Sequence, residues 1–266
     1  MALLLSPCLN TVFTANPGLS FAERIERLGR MGFRAYEFWG WYDHRDELDA
    51  LRAAQEEAGL QLSCFLTKSG VLLMDPSGHA EFVKELQRSI KVAERLACKR
   101  LLVTAGEERK DVSRSQQHRS IVAALKAGAP YLEEAGVDLV LEPVNTLVDH
   151  PGTYLSSSAE AFAIVDEVGS ANVKVLYDIY HQQITEGNLV PTIVANISKI
   201  GHFHAADHPG RSGFGQGEID YRFVLAAIGR TGYTGNIGLE YIPRAGLVEA
   251  EKDLARILAD YSRYED

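Results

Sequence analysis

The chain alternates short apolar runs with longer stretches whose apolar residues recur every three or four positions. Runs of four to six apolar residues bounded by turn signals read as buried parallel strands. The longer spacing reads as amphipathic helix. In the first half, strands are expected over Leu3 to Leu9, Phe33 to Phe38, Leu60 to Leu66 and Arg100 to Thr104. Helices fill the intervals. Leu19 to Met31 carries Phe21, Ile25 and Leu28 on one stripe, and Asp46 to Ala58 follows. His79 to Ala97 carries Phe82, Leu86, Ile90 and Ala93, and Ser113 to Ala135 is a second long helix. In the second half, apolar runs end at Glu142, Asp178, His204 and Glu240. Helices lie near Ser158 to Val168, Leu189 to Ala195, Asp220 to Ile228 and Val248 to Tyr261. Gly32, Gly59, Gly136 and Gly232 stand where helices give way to strands, and glycine permits the left-handed backbone of that turn.

Eight strand–helix units in 266 residues have the size and rhythm of an α/β fold, a single (β/α)8 TIM barrel spanning 1–266 as one domain. No linker or low-complexity block interrupts the alternation. An open doubly wound sheet would need a glycine-rich phosphate loop after an early strand. The first strand runs instead into Asn10-Thr-Val-Phe-Thr-Ala-Asn16.

The intervals from Glu142 to Asp178, to His204 and to Glu240 are 36, 26 and 36 residues, each one strand, one helix and two loops. Parallel strands point the same way, and a barrel gathers their C-terminal ends into one active face. Two Glu, one Asp and one His converging there make an oxygen-rich site for a divalent cation.

Such an ion leaves positions for two adjacent oxygens of an α-hydroxy carbonyl compound. As a Lewis acid it stabilises the enediolate formed when the α-proton leaves. A nearby carboxylate can take that proton. Return to the neighbouring carbon is aldose–ketose isomerisation, and return to the same carbon from the other side is epimerisation. Glu142 and Glu240 are the candidate proton-transfer groups, and Asp178 and His204 serve mainly as ligands. A neutral His204 needs an acceptor for its other ring nitrogen.

Composition narrows the partners. A chain 46% hydrophobic and 24% charged can bury a sizeable core. A net charge of −9, with no run of Lys and Arg, argues against nucleic acid. No apolar stretch reaches the roughly 18 residues that span a membrane. Cys8, Cys64 and Cys98 are odd in number and far apart, as free thiols of a reducing compartment are. Met1-Ala-Leu-Leu-Leu lacks a basic leader and reads as the start of the first strand. A cytoplasmic protein is expected.

Four motifs carry a family resemblance. They are Leu141-Glu-Pro-Val-Asn-Thr with Asp149-His-Pro-Gly, and Leu176-Tyr-Asp-Ile-Tyr-His181 with Glu186-Gly-Asn-Leu189. Then come His202-Phe-His204 with Asp207-His-Pro-Gly-Arg211 and Gly217-Glu-Ile-Asp-Tyr221, and finally Gly238-Leu-Glu-Tyr241. In this order they resemble the fifth- to eighth-strand motifs of the hydroxypyruvate isomerase family. That family belongs to the xylose isomerase-like barrels, with the ketose 3-epimerases and endonuclease IV. The resemblance is specific from about residue 100 to 245 and architectural before that.

It implies that Glu142, Asp178, His204 and Glu240 bind one Mg2+ or Mn2+, that Glu142 and Glu240 transfer protons, and that His181 and Arg211 touch a small hydroxy-carbonyl or sugar substrate. It also implies a homo-oligomer, a dimer or tetramer. There are departures. His204 stands where hydroxypyruvate isomerases often carry Gln and ketose 3-epimerases carry His. Ser212-Gly-Phe-Gly-Gln216 replaces a loop that usually contains Glu-Pro. Val148 stands where the epimerases carry a further Glu.

Other strand-end residues have weaker readings. Lys68 could neutralise a substrate carboxylate, and Asn145 could hydrogen-bond the loop or the substrate. His181 is expected in a loop beyond Asp178. His202 is expected to face the helices as a structural histidine. Glu37 reads as support for the site or as a solvated group, and Phe13, Phe38, Trp39 and Trp41 as core or as a wall over a sugar. The leading expectation is a metal-dependent isomerase close to hydroxypyruvate isomerase. The alternatives are a ketose 3-epimerase, an endonuclease IV-like phosphodiesterase and a non-catalytic sugar-binding barrel.

Overall fold

A computed structural model describes residues 3–68, 73–244 and 246–262. Met1 and Ala2, the beginning of the expected first strand, lie outside them. Eight parallel strands alternate with helices. They are β1 (Leu4–Pro7), β2 (Ala35–Phe38), β3 (Gln61–Leu66), β4 (Arg100–Thr104), β5 (Asp138–Glu142), β6 (Val173–Asp178), β7 (Ile200–Ala205) and β8 (Asn236–Leu239). The first half supplies α1 (Leu9–Val12), α2 (Phe21–Met31), α3 (Leu48–Ala58), α4 (His79–Arg95) and α5 (Arg114–Ala135). The second supplies α6 (Ser158–Val168), α7 (Ile179–Thr185), α8 (Leu189–Asn196), α9 (Tyr221–Arg230) and α10 (Leu247–Tyr261). The hydrogen-bonded order runs β1-β8-β7-β6-β5-β4-β3-β2. A parallel bridge between Cys8 and Glu37 joins the two ends, so the ring is nearly closed.

Local chemistry sets the helix boundaries. Ser20 accepts the Glu23 amide while Glu23 returns a bond to Ser20, a capping box at the start of α2. Ser113 and Gln116 do the same for α5. The expected glycines Gly32, Gly59 and Gly136 close α2, α3 and α5 in the left-handed region.

Two elements depart from expectation. The first strand ends early and gives way to the short helix α1. The segment after Asp178, expected as a loop, is helix α7. Asp178 caps it, accepting the Tyr180 and His181 amides at 2.8 and 3.2 Å.

The alternation of strand side chains explains where the site lies. The larger core packs helices against the outside of the barrel. A small second cluster joins Cys64, Leu102, Val140 and Leu176, which come from successive strands and fill the interior. Residues two further on in β4, β5 and β6 share that inward face and stand one layer nearer the C-terminal end. They are Thr104, Glu142 and Asp178. On β7 the same step leads from His202 to His204. The barrel therefore carries an apolar floor beneath a polar layer.

The register fixes the level of each group. Thr104 pairs with Glu142, Asp178 with His204, and His204 with Gly238. Gly238 is required by close approach. A Cβ there would lie 2.5 Å from Glu37 Oε1 and 2.6 Å from His204 Cδ2.

Candidate active site

Glu142, Asp178, His204 and Glu240 meet at the C-terminal mouth of the barrel. One potential ligand atom from each lies within 4.8 Å of all the others, and all four residues are buried. His204 is at the centre. Its Nδ1 lies 3.2 Å from Glu142 Oε1 and 3.3 Å from Glu240 Oε2. In the sheet, β7 and β6 lie between β8 and β5, so the two glutamates flank the histidine and aspartate.

The other nitrogen of His204 faces Glu37. Nε2 is 3.1 Å from Glu37 Oε1, close enough for an ion pair but off the line of a good hydrogen bond. Glu37 Oε2 meets His202 Nε2 at 2.9 Å and the Ser63 hydroxyl at 3.4 Å. This corrects the expectation for His202. Residues two apart on a strand share a face, so His202 points with His204 into the barrel and not toward the helices. It also settles Glu37, which is buried, hydrogen-bonded to His202 and ion-paired with His204. The signal available in sequence was the position of Glu37 in β2, among four buried residues.

Charge dominates here. Burial opposes ionising Glu37, but the neighbouring His204 charge and the hydrogen bond from His202 hold its carboxyl below the usual range. Burial likewise opposes charging His204, yet Glu37 and Glu240 hold it well above the ordinary imidazole value. Burial brings His202 down to about 4 against the pull of Glu37. Burial raises Asp178, although Arg211 and His204 work against it. Glu240 is held well below the carboxylate range by Arg211 first and then His204, despite its burial.

Arg211 is tied into this network. Its Nη2 bonds Glu240 Oε2 at 2.5 Å and lies 4.0 Å from Asp178 Oδ2, and its Nε donates to the Glu240 carbonyl at 3.1 Å. The guanidinium sits over the Tyr180 ring, 5.2 Å from its centroid. Arg211 adopts a left-handed backbone, φ 51°, uncommon for a side chain of this size. Trp39 donates its indole N–H to Glu240 Oε1 at 2.6 Å, yet the residue remains 43% exposed. It thus presents a half-open aromatic surface beside the cluster. Its backbone is held by Asn10, another strand-end residue.

His181 and Asn145 lie side by side, both buried. Asn145 Nδ2 is 2.6 Å from His181 Nδ1, and His181 Nε2 is 3.5 Å from Asp178 Oδ2. Lys68 does not join them. It is half exposed and reaches Glu85 on α4, 3.9 Å away.

The donor set fits a divalent cation. Three carboxylates and an imidazole nitrogen turn toward one point. Arg211 reaches Glu240 and Asp178, so the buried carboxylates around the cluster outnumber the cations bonded to them, and a divalent cation would offset the excess.

The fold and this constellation define a class, and comparison with known proteins gives the same one. Residues 25–261 match the family described as xylose isomerase-like TIM barrel. The chain is 31% identical over 244 residues to hydroxypyruvate isomerase of Escherichia coli, covering 87% of this chain and 93% of that one. It is 33% identical over 234 residues to 2-oxo-tetronate isomerase of Cupriavidus necator, covering 85% and 89%. Among solved structures, AP endonuclease family 2 from Brucella melitensis superposes with a TM-score of 0.88 at 24% identity, covering 98% of this chain and 100% of that one. D-psicose 3-epimerase from Clostridium cellulolyticum, solved with D-tagatose, superposes with a TM-score of 0.80 at 18% identity, covering all of both chains.

The chain belongs to the xylose isomerase-like TIM-barrel family, and within it to the hydroxypyruvate isomerase family. It is an enzyme, an isomerase of small sugar-like compounds.

Proposed function

We propose that Glu142, Asp178, His204 and Glu240 hold one divalent cation, Mg2+ or Mn2+, and that the enzyme interconverts aldose and ketose forms of a short hydroxy-carbonyl acid such as hydroxypyruvate. The observation that carries this reading is the placement of Glu142 and Glu240 on either side of His204 Nδ1, at 3.2 and 3.3 Å. The relatives named hydroxypyruvate isomerase and 2-oxo-tetronate isomerase support a 2-oxo acid as substrate.

A cation held by these four residues would supply Lewis-acid stabilisation of the negative charge that grows as the α-proton leaves. The side chains do the rest. One glutamate takes the proton from the α-carbon onto a carboxylate oxygen. A proton returns from a carboxyl group to the neighbouring carbon, which completes isomerisation. Glu240 is kept ionised by Arg211 and oriented by Trp39, so it can begin the cycle as a base. Among the described residues Glu142 Oε1 has His204 as its hydrogen-bond partner, which leaves this carboxylate freer to move a proton. Arg211 and the buried His181 lie beside Asp178, within reach of a carboxylate or hydroxyl of a substrate held at the cluster.

One observation favours a second reading. His204 is the residue carried by ketose 3-epimerases, and proton return to the same carbon would epimerise a free ketose at this site. The distinction is made by α-proton exchange in deuterated water with hydroxypyruvate and with small ketoses, on metal-depleted protein and after adding Mg2+ or Mn2+. Metal-dependent exchange and conversion of hydroxypyruvate are expected. Exchange confined to ketoses would establish the epimerase, and exchange that survives metal removal would sink the metal reading.

A further inference from the structure

Beside the cluster, a network of side chains fixes the polarity of one histidine, and the inference from it rests on the isomerase reading above. Asn145 Oδ1 accepts the backbone amides of Val148 and Asp149 at 2.9 and 3.1 Å. Its Nδ2 donates to Asp149 Oδ2 at 2.7 Å. These three bonds determine which end of the amide is which. Reversing it would set its NH2 against two N–H donors and its oxygen against a carboxylate. Asp149 is anchored in turn by the Tyr180 hydroxyl at 2.9 Å. Burial opposes its charge, but the bonds from Asn145 and Tyr180 hold its carboxyl below the usual range.

The remaining hydrogen of Asn145 Nδ2 points to His181 Nδ1, 2.6 Å away. A donor there requires a lone pair on Nδ1. A neutral ring must then carry its hydrogen on Nε2, and a cationic ring would set two donors face to face. His181 is 1% exposed, so a cationic ring there would be desolvated as well as opposed by the Asn145 donor. Its Nε2 is 3.5 Å from Asp178 Oδ2, too long for a strong hydrogen bond, so the N–H on the cluster side can serve a ligand.

We propose that Asn145, held by Asp149, locks His181 as a neutral imidazole whose Nε2–H donates to an oxygen of the bound hydroxy-carbonyl substrate. Asn145 and Asp149 are positioning residues, acting through His181. A neutral donor stabilises charge growing on a substrate oxygen without giving its proton away. It also selects an acceptor oxygen at that point of the substrate.

The test reads the ring directly. In 15N-labelled, metal-free protein the His181 signals are assigned by their loss in His181→Gln. The two-bond pattern of the neutral Nε2–H tautomer is expected at pH about 7. Asn145→Asp, made together with Asp149→Asn so that its carboxylate does not face another one, keeps the bonds to the loop amides but sets an oxygen against Nδ1, so the hydrogen should move to Nδ1. Asp149→Ala should leave a mixture of tautomers. With Mn2+ and hydroxypyruvate, kcat of the double variant should fall at least about tenfold, the loss of one transition-state hydrogen bond. Mn2+ affinity by calorimetry should be unchanged.

A wild-type His181 that is cationic or protonated on Nδ1 would overturn the proposal. So would a tautomer indifferent to the double substitution, or one that changes with turnover intact. A locked Nε2–H tautomer in a wild-type protein that exchanges no substrate proton would overturn the isomerase reading and support the lock.

Discussion

Glu37 and His204, from strands β2 and β7, face each other across the barrel interior with Oε1 and Nε2 3.1 Å apart. This leaves Nδ1 of His204 for the carboxylate cluster. Groups that hold the far nitrogen of a ligating histidine commonly set metal affinity by about 10- to 100-fold. Glu37→Gln should therefore weaken Mn2+ binding by about that factor in calorimetry. Unchanged affinity would mean that β7 alone orients His204.

Glu240→Gln keeps an oxygen donor and nearly the same shape but removes the basic carboxylate. Metal should be retained while turnover drops at least about a hundredfold, the scale of lost general base catalysis. A wild-type rate would make Glu240 a ligand only and move the base to Glu142.

Asp178→Ala should lose metal occupancy and, in addition, the cap of α7. Loss of such a cap costs about 1 kcal/mol. Chemical denaturation of metal-free protein should show this loss. Full stability in that state would leave Asp178 with a role at the cluster alone.

Gly238→Ala tests close approach at the floor of the site. The added methyl would sit 2.5 Å from Glu37 Oε1, so the carboxylate or the strand must shift. Overpacking of this kind costs about 1–3 kcal/mol. Both melting temperature and Mn2+ affinity should fall, and a variant that keeps both would show that Glu37 is free to move.

Arg211→Ala separates substrate classes. If the substrate is a short 2-oxo acid, KM for the acid should rise far more than KM for a neutral ketose of similar length. A charge-assisted bond contributes about 1.5–3 kcal/mol. Equal small effects on both would confine Arg211 to its bond with Glu240.

The barrel was legible in the sequence because buried parallel strands are short, apolar and regularly spaced. Glu142, Asp178, His204 and Glu240 each end such a run, and a parallel sheet gathers run ends without any knowledge of side-chain contacts. His202 was misplaced because strand alternation pairs residues two apart on one face, whereas it had been set opposite His204. The partnership of Glu37 with both histidines depends on how β1 and β2 close the ring, and no local pattern encodes that. Helix α7 escaped because it spans seven residues and starts at a residue already marked as a cluster member. Lys68 shows the converse. A strand-end position permits contact with the site, but its long side chain turned to Glu85 on α4.

Asp178 divides its two oxygens between different tasks. Oδ1 holds the first amides of α7, and Oδ2 lies toward Arg211 and His181. The helix that carries His181 is thus moored to the same carboxylate that would grip an ion. A pull on one oxygen is felt by the other through a rigid planar group. Occupancy of the centre should then be readable remotely, as slower hydrogen–deuterium exchange of the Tyr180 and His181 amides, with no substrate and no turnover.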